Sequence, residues 1–466
     1  MMFQRLSIAA ILASAPAFGQ STSVANSAAD LRSTLLEVEV EDYLATADPP
    51  AEKAEGLLPL PDYSGDWQTR KFLTGDWGGT RSKWASKGVT FDFQWFQAGQ
   101  GIIDGGVDTG WAYGTNLDYF ITLDLMRMKL LSGALVNFRG QSRFGNTVNA
   151  DTGLLLPANS YSAFPVGSAV DDDIPFTITE LNYMQFFSEK FAVLIGKITT
   201  MKNANEFSGG EGRTQFMNFQ FLYSAVFAQV APYSTLAAGV FWNPSAQVSV
   251  TSILMNTQDA STTTGFSDIG DGTSWWTSLD YQYSARGLPG GGTVGFVYAF
   301  NGDFARIGGI NFDPEDGPSV AKEKEAWALF WTGWQYVYIK GGAAEAVDPR
   351  DGVQDHEGLG LFLGVGIADQ STNPAIFTIK AGLSGRGMIP GRSNDTYGLG
   401  YYYNDLQDPR AIALILLKDT TQGLEAYYNV AIARSIALTF DFQWVRSAFS
   451  GVDDSIIVAA RLNIRF

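Results

Sequence analysis

The sequence predicts an all-β protein, a transmembrane antiparallel β-barrel of about 16 strands with 18 as the alternative count, and three observations carry that prediction. Near the C-terminus, Ile456, Val458, Ala460, Leu462, Ile464 and Phe466 fall on one face of a period-two segment, while Ser455, Arg461, Asn463 and Arg465 fall on the other. Lipid outside and water inside demand that alternation. The N-terminus carries an export leader. The composition, with 51 Gly, 32 Phe, 19 Tyr and 12 Trp and a mean hydropathy of -0.01, is that of many turns and of alternating strand faces that average out.

In chain order, Arg5 supplies a positive start, Leu6 to Ala15 a short apolar core, and Ala17-Phe18-Gly19 a small-x-small cleavage site before Gln20, so residues 1–19 read as a signal peptide. No later stretch approaches the roughly 18 uninterrupted apolar residues of a membrane helix. A membrane protein of this sequence must therefore close a barrel, which satisfies every backbone amide. Residues 20–62 are Ser- and Ala-rich, then acidic, and end in Leu57-Leu58-Pro59-Leu60-Pro61; they read as a flexible or partly helical periplasmic arm. Leu31, Leu35, Val38 and Leu44 form a weak apolar helical face that would allow a homo-oligomer, and a solvated tail is the alternative.

From residue 63 to 466 the chain reads as barrel. Val89, Phe91, Phe93 and Trp95 alternate with Thr90, Asp92, Gln94 and Phe96, and Leu117, Tyr119, Ile121 and Leu123 alternate with Asp118, Phe120, Thr122 and Asp124. The same pattern returns at Trp275–Tyr283, Ala375–Ser384 and Leu438–Val445. Short connections such as Arg127–Leu131 and Ala433–Ser435 suit periplasmic turns, and long ones such as Gly145–Pro175 suit the outer face. Phe216–Pro232 holds either a strand or a loop with a short helix. Sixteen strands leave an aqueous channel, whereas eight would be filled by side chains.

Charge and chemistry exclude several functions. The net charge is -17, and loss of Arg5 with the leader takes it to -18, which disfavours nucleic acid. Cysteine is absent, so neither a disulfide nor a thiolate metal site is available. His356 is the single histidine and sits in a loop sequence, Arg350 to Gly358, where an exposed position is expected. No nucleophile motif accompanies it, so no enzyme, cofactor or metal is expected.

Thr74-Gly75-Asp76-Trp77-Gly78-Gly79-Thr80-Arg81, Asn146-Thr147-Val148-Asn149, Leu155-Leu156-Pro157-Ala158-Asn159, Gly212-Arg213-Thr214-Gln215-Phe216 and Gly387-Met388-Ile389-Pro390-Gly391-Arg392 resemble, in the same order, motifs of the carbohydrate-selective porin family (OprB-like). The resemblance spans Asp62 to Phe466. It implies a bacterial outer-membrane porin that passes small saccharides by facilitated diffusion, in contact with outer-membrane lipid. Sugars offer hydroxyls and weakly apolar ring faces, so a selective pore needs donors, acceptors and aromatic platforms held loosely enough for release. A general or cation-preferring porin is the second reading, motivated by the acid excess and by Asp92, Asp124, Asp280 and Asp441 on polar strand faces. A non-transporting surface protein is the third.

Candidate pore residues follow. Arg139 and Arg143 share a polar face with Asn137 and Gln141; either they line the constriction or they pair with wall carboxylates. Asn149 to Asp173, with Tyr161, Phe164, Pro165 and the acids Asp171, Asp172 and Asp173, is the best candidate for a loop folded into the channel. The resemblance adds Lys197, Glu206 and Arg213. Asp76, Trp77, Gly78, Gly79 and Arg81 read as a structural turn with Arg81 in a salt bridge. Trp111, Tyr161, Trp275, Trp276, Trp331 and Trp334 are either sugar platforms or members of the interfacial girdles.

Overall fold

The computed structural model describes residues 56–167, 172–200, 205–227, 229–313, 317–341, 354–407 and 417–466. The expected leader and most of the N-terminal arm lie outside the described residues. The first strands are β1 (Val89–Gly106), β2 (Gly110–Asp124), β3 (Ala134–Gly145), β4 (Ile174–Ser188), β5 (Phe191–Thr199), β6 (Ser234–Ser245), β7 (Val248–Asn256), β8 (Thr273–Ala285) and β9 (Leu288–Phe300). They are followed by β10 (Phe304–Asp313), β11 (Gly317–Glu323), β12 (Ala326–Ile339), β13 (Gly358–Ala368), β14 (Ala375–Arg386), β15 (Thr396–Leu406), β16 (Thr420–Ala433), β17 (Ile436–Val445) and β18 (Asp453–Arg465). Sixteen of these close an antiparallel barrel in which β1 pairs with both β2 and β18. The alternative count of 18 has its explanation in β10 and β11, which pair only with each other in the connection between β9 and β12.

Closure is made by the C-terminal strand, with Gly99 opposite Ala460 and Gln94 opposite Arg465. The terminal aromatic completes it: the Phe466 amide donates to the Phe93 carbonyl at 2.8 Å, and the two rings lie 5.1 Å apart. Turns at 189–190, 246–247, 286–287 and 434–435 mark the end of the barrel where β1 begins and β18 ends, and short turns identify it as the periplasmic end. The connection of β12 to β13, residues 340–357, breaks the length rule. It belongs to the periplasmic end by strand count although it is long.

Two connections from the outer end turn inward along their described residues, 146–167 and 172–173 after β3 and 205–227 and 229–233 after β5. The second holds short helical turns at Phe219–Leu222 and Ala225–Phe227, so the segment Phe216–Pro232 is a loop with a short helix and not a strand. Its bed is a wall of glycine. On β13, Gly358, Gly360, Gly364 and Gly366 point inward between lipid-facing Leu359, Leu361, Leu363, Val365 and Ile367. A Cβ at Gly360 would overlap the Phe207 ring, and one at Gly400 of β15 would overlap Phe221. Glycine at these positions lets loop aromatics lie directly on strand backbone.

Candidate constriction site

Alternation along β2 and β3 turns Asp118, Arg139 and Gln141 inward, and the register sets Asp118 opposite Gln141 and Phe120 opposite Arg139. The Arg139 Nε and the Gln141 Nε2 both donate to Asp118 Oδ1, each at 2.8 Å. The β5–β6 loop brings two more charges to this corner. Arg213 lies 2.6 Å from Glu211 Oε2 and 3.7 Å from Asp118 Oδ2, and Arg139 lies 3.6 Å from the same Glu211 oxygen. Arg213 also donates to Gln94 Oε1 and stacks its guanidinium 4.6 Å over the Tyr161 ring of the β3–β4 loop. Both inward loops and the wall thus meet at one guanidinium.

Exposure divides the cluster. Asp118 is fully buried and the Arg139 side chain is 2% exposed, whereas Arg213 is 11% and Glu211 18% exposed. Water meets the loop pair, and the wall pair stands behind it. Glu211 sits at φ 47 between Gly210 and Gly212, each at φ 78. A left-handed non-glycine residue costs on the order of 1 kcal/mol, which the surrounding ion pairs offset.

The other expected residues lie elsewhere. Arg143 donates to the carbonyls of Ala163, Pro165 and Asp172 at 2.8–2.9 Å, holding the β3–β4 loop. Asp173 accepts from the Gly145 amide at 3.0 Å at the base of that loop, and Asp171 lies outside the described residues. Lys197 is on the outer face of β5, opposite exposed Leu181, and its amine donates to the carbonyls of Ile178, Ala260 and Thr263. Glu206 reaches toward the periplasmic end, where it accepts from the Tyr336 hydroxyl and the Asp355 amide. Burial, followed by the neighbouring Asp355 carboxylate, pushes its carboxyl up to about 8. His356 is not exposed as expected but 8% exposed, its amide donating to the Tyr336 hydroxyl, because residues 354–357 fold up against this loop. Trp276 is buried inside, while Trp111 and Trp275 are exposed.

The profile of the "Carbohydrate-selective porin, OprB family" matches residues 108–466. The chain belongs to that family. As an OprB-family porin it is an outer-membrane channel for passive diffusion of saccharides. Among solved structures, the high-pH form of Pseudomonas putida OprB aligns with a TM-score of 0.72 at 19% identity, over 86% of this chain and 100% of that one. The low-pH form of the same protein aligns at 0.55 with 16% identity, over 86% and 99%. At that identity the likeness concerns the fold. No curated protein sequence matches the chain.

In this porin, one buried charge set escaped the sequence reading as a group. Arg461 of β18 donates to the carbonyls of Gly212 and Gln215, both at 2.6 Å, and to Asp441 of β17 at 3.2 Å. Glu425 of β16 accepts from the amides of Met217 and Asn218 at 2.6 and 3.0 Å. Together they clamp the loop segment that carries Arg213. Alternation places Glu425 on the inner face with Tyr427 and Asn429, but its partners are backbone atoms more than 200 residues away, for which no local signal exists.

Proposed function

We propose that Glu211 and Arg213 form the solute-contacting edge of the constriction and that Asp118 and Arg139 are their positioning pair. The observation that carries this reading is charge balance. The four side chains comprise two cations and two anions held within salt-bridge distance, so this set balances its own charge although the chain is strongly acidic, with Glu180 of β4 as a further acid behind Arg139. Fixed donors beside fixed acceptors suit a polyhydroxylated neutral solute, whose hydroxyls both give and take hydrogen bonds. A net charge would favour ions instead.

Transport then needs no chemistry beyond exchange of partners. A sugar replaces water at the guanidinium edge and the carboxylate, and leaves because each contact is shared with the protein network and is weak. Planar-bilayer recording tests this. Neutral saccharides are expected to block the ionic current, and Arg213→Gln to weaken that block by about 10-fold, as loss of one charge-assisted hydrogen bond implies. Strong cation selectivity with no saccharide block in the unmodified channel would favour the cation-preferring reading.

A further inference from the structure

The segment Asp76–Trp84 has no part in the constriction, yet it is built with care. Arg81 is 2% exposed, donates to the Phe91 carbonyl and to Asp92, and lies 4.1, 4.5 and 5.0 Å from the ring centres of Tyr63, Phe72 and Trp77. Asp76 accepts from the amide and the hydroxyl of Ser82 at 2.7 and 2.8 Å. Gly78 and Gly79, at φ 66 and 94, make the intervening turn. The segment is thus fixed rigidly to the base of β1, and the turn expected from the sequence has a further face.

That face lies outside the barrel. Phe91 and Phe93 share the lipid-facing side of β1 with their partners Ile121 and Tyr119 of β2. The Trp77 ring packs 6.1 Å from Phe91 and edge-on to Trp84 at 6.3 Å, so the outer wall continues into this pair. The two indoles remain 41% and 46% exposed. The adjoining β2–β3 turn, tied in where the Asp124 amide donates to the Gly88 carbonyl, exposes Met126, Leu130 and Leu131. All of this lies at the periplasmic end, where the apolar wall stops.

Local charge runs against the rest of the chain. Acids exceed bases by 48 to 31 overall, but with Arg81 neutralised by Asp92, residues 66–87 still hold Arg70, Lys71, Lys83 and Lys87 against Asp66 and Asp76. Lys83 and Lys87 are exposed on either side of Trp84. Indoles at the edge of an apolar wall with lysines beyond them match the polar boundary of a bilayer whose headgroups are negative.

We infer that Trp77, Trp84, Lys83 and Lys87 form a docking surface for anionic phospholipid headgroups of the periplasmic leaflet. The surface seats the base of β1 in the membrane boundary, with Arg81 as the rivet that holds it in place. A soluble partner is less suited to the site, because the patch is continuous with the lipid-facing wall and shares its depth axis.

The absence of cysteine in the chain allows a clean test. Ser86→Cys, exposed between Trp84 and Lys87, is labelled with an environment-sensitive fluorophore and the protein is reconstituted with brominated phosphatidylglycerol or brominated phosphatidylcholine. Quenching is expected to be about threefold stronger with the anionic lipid, in line with the attraction of a basic residue near a charged surface. Lys83→Glu with Lys87→Glu is expected to bring the ratio to about one, and Trp84→Ser to lower quenching by both lipids. Heat-modifiable electrophoretic mobility and saccharide flux, which these residues do not touch, confirm an intact barrel. A label quenched by neither lipid, a ratio unaffected by the charge reversal, or self-quenching between labelled copies without lipid quenching would overturn the inference.

Discussion

The two inward loops occupy the same lumen and share one kind of tie to the wall, but the second adds a glycine-seated aromatic face and more buried charge. The β3–β4 loop is hung by polar side chains of the wall that donate to its backbone carbonyls: Asn116 to Tyr161 and Phe164, Gln443 to Ala158, Ser447 to Gly153, Ser455 to Thr152, and Arg143 to Ala163, Pro165 and Asp172. The β5–β6 loop has ties of the same kind, from Lys380 to Phe221 and Tyr223, from Asn373 to Val226 and from Arg461 to Gly212 and Gln215, but its aromatics Phe207, Phe216 and Phe221 also sit directly on the glycine faces of β13 and β15, and Glu425 accepts from its amides. The loops touch through the Ser160 amide on Met217 and the Phe219 amide on Pro157. The first loop has one buried charge, Arg143, among several neutral hydrogen bonds that share the hold. The second has three, Lys380, Glu425 and Arg461, together with shape at the glycine bed, so loss of one of them costs more there.

That contrast ranks the outcomes of mutation. Arg461→Met should have the largest effect, because it strands Asp441 and two loop carbonyls in a buried site; breaking such a pair from one side costs about 3–5 kcal/mol. Guanidinium titration in detergent measures it, and higher single-channel conductance should accompany the released loop. Gly360→Ala should cost about 1–3 kcal/mol by overpacking against Phe207, and adding Phe207→Leu should recover part of the loss. If the single variant is neutral, the glycine bed is not what seats the loop. Asn116→Ala should be milder, about 1 kcal/mol, with the β3–β4 loop still protected from protease.

The smallest effect at neutral pH belongs to Glu206. Its carboxyl titrates in the folded protein at about 8, above the ordinary carboxylate value, because of burial and then Asp355. Docking therefore favours the protonated form, and its contribution is complete below the usual carboxylate range and lost as pH climbs through about 8. Limited proteolysis of the loop should accelerate between pH 6 and pH 9, with Glu206→Gln removing the difference. Equal pH dependence in that variant would place the titration on another group.

Particular residues show why only part of the site was legible. Arg139 shares a face with Asn137 and Gln141 because a strand has period two, and the lumen side follows from that alone. Its partners Asp118 and Glu211 come from a neighbouring strand and a distant loop, which a local pattern does not pair. Lys197 shows the opposite failure. Gly196 takes φ 132, and the strand presents Lys197 to the outer wall under the Ala260–Thr263 carbonyls, away from the corner that Arg213 occupies. His356 reads as loop, correctly, but burial depends on what folds over a loop.

The sequence by itself determined that the chain forms a large antiparallel barrel of 16 or 18 strands and which residues of a regular strand share a face, because alternation and turn chemistry are properties of adjacent residues. Only the tertiary structure decided that the β5–β6 connection joins the β3–β4 loop in the lumen, that β10 and β11 stay out of the barrel, and that Asp118, Arg139, Glu211 and Arg213 pair with one another. Those outcomes rest on contacts between residues far apart in the chain, such as Glu425 with Met217 and Gly360 with Phe207. Their energy exists only once closure has brought opposite walls within reach.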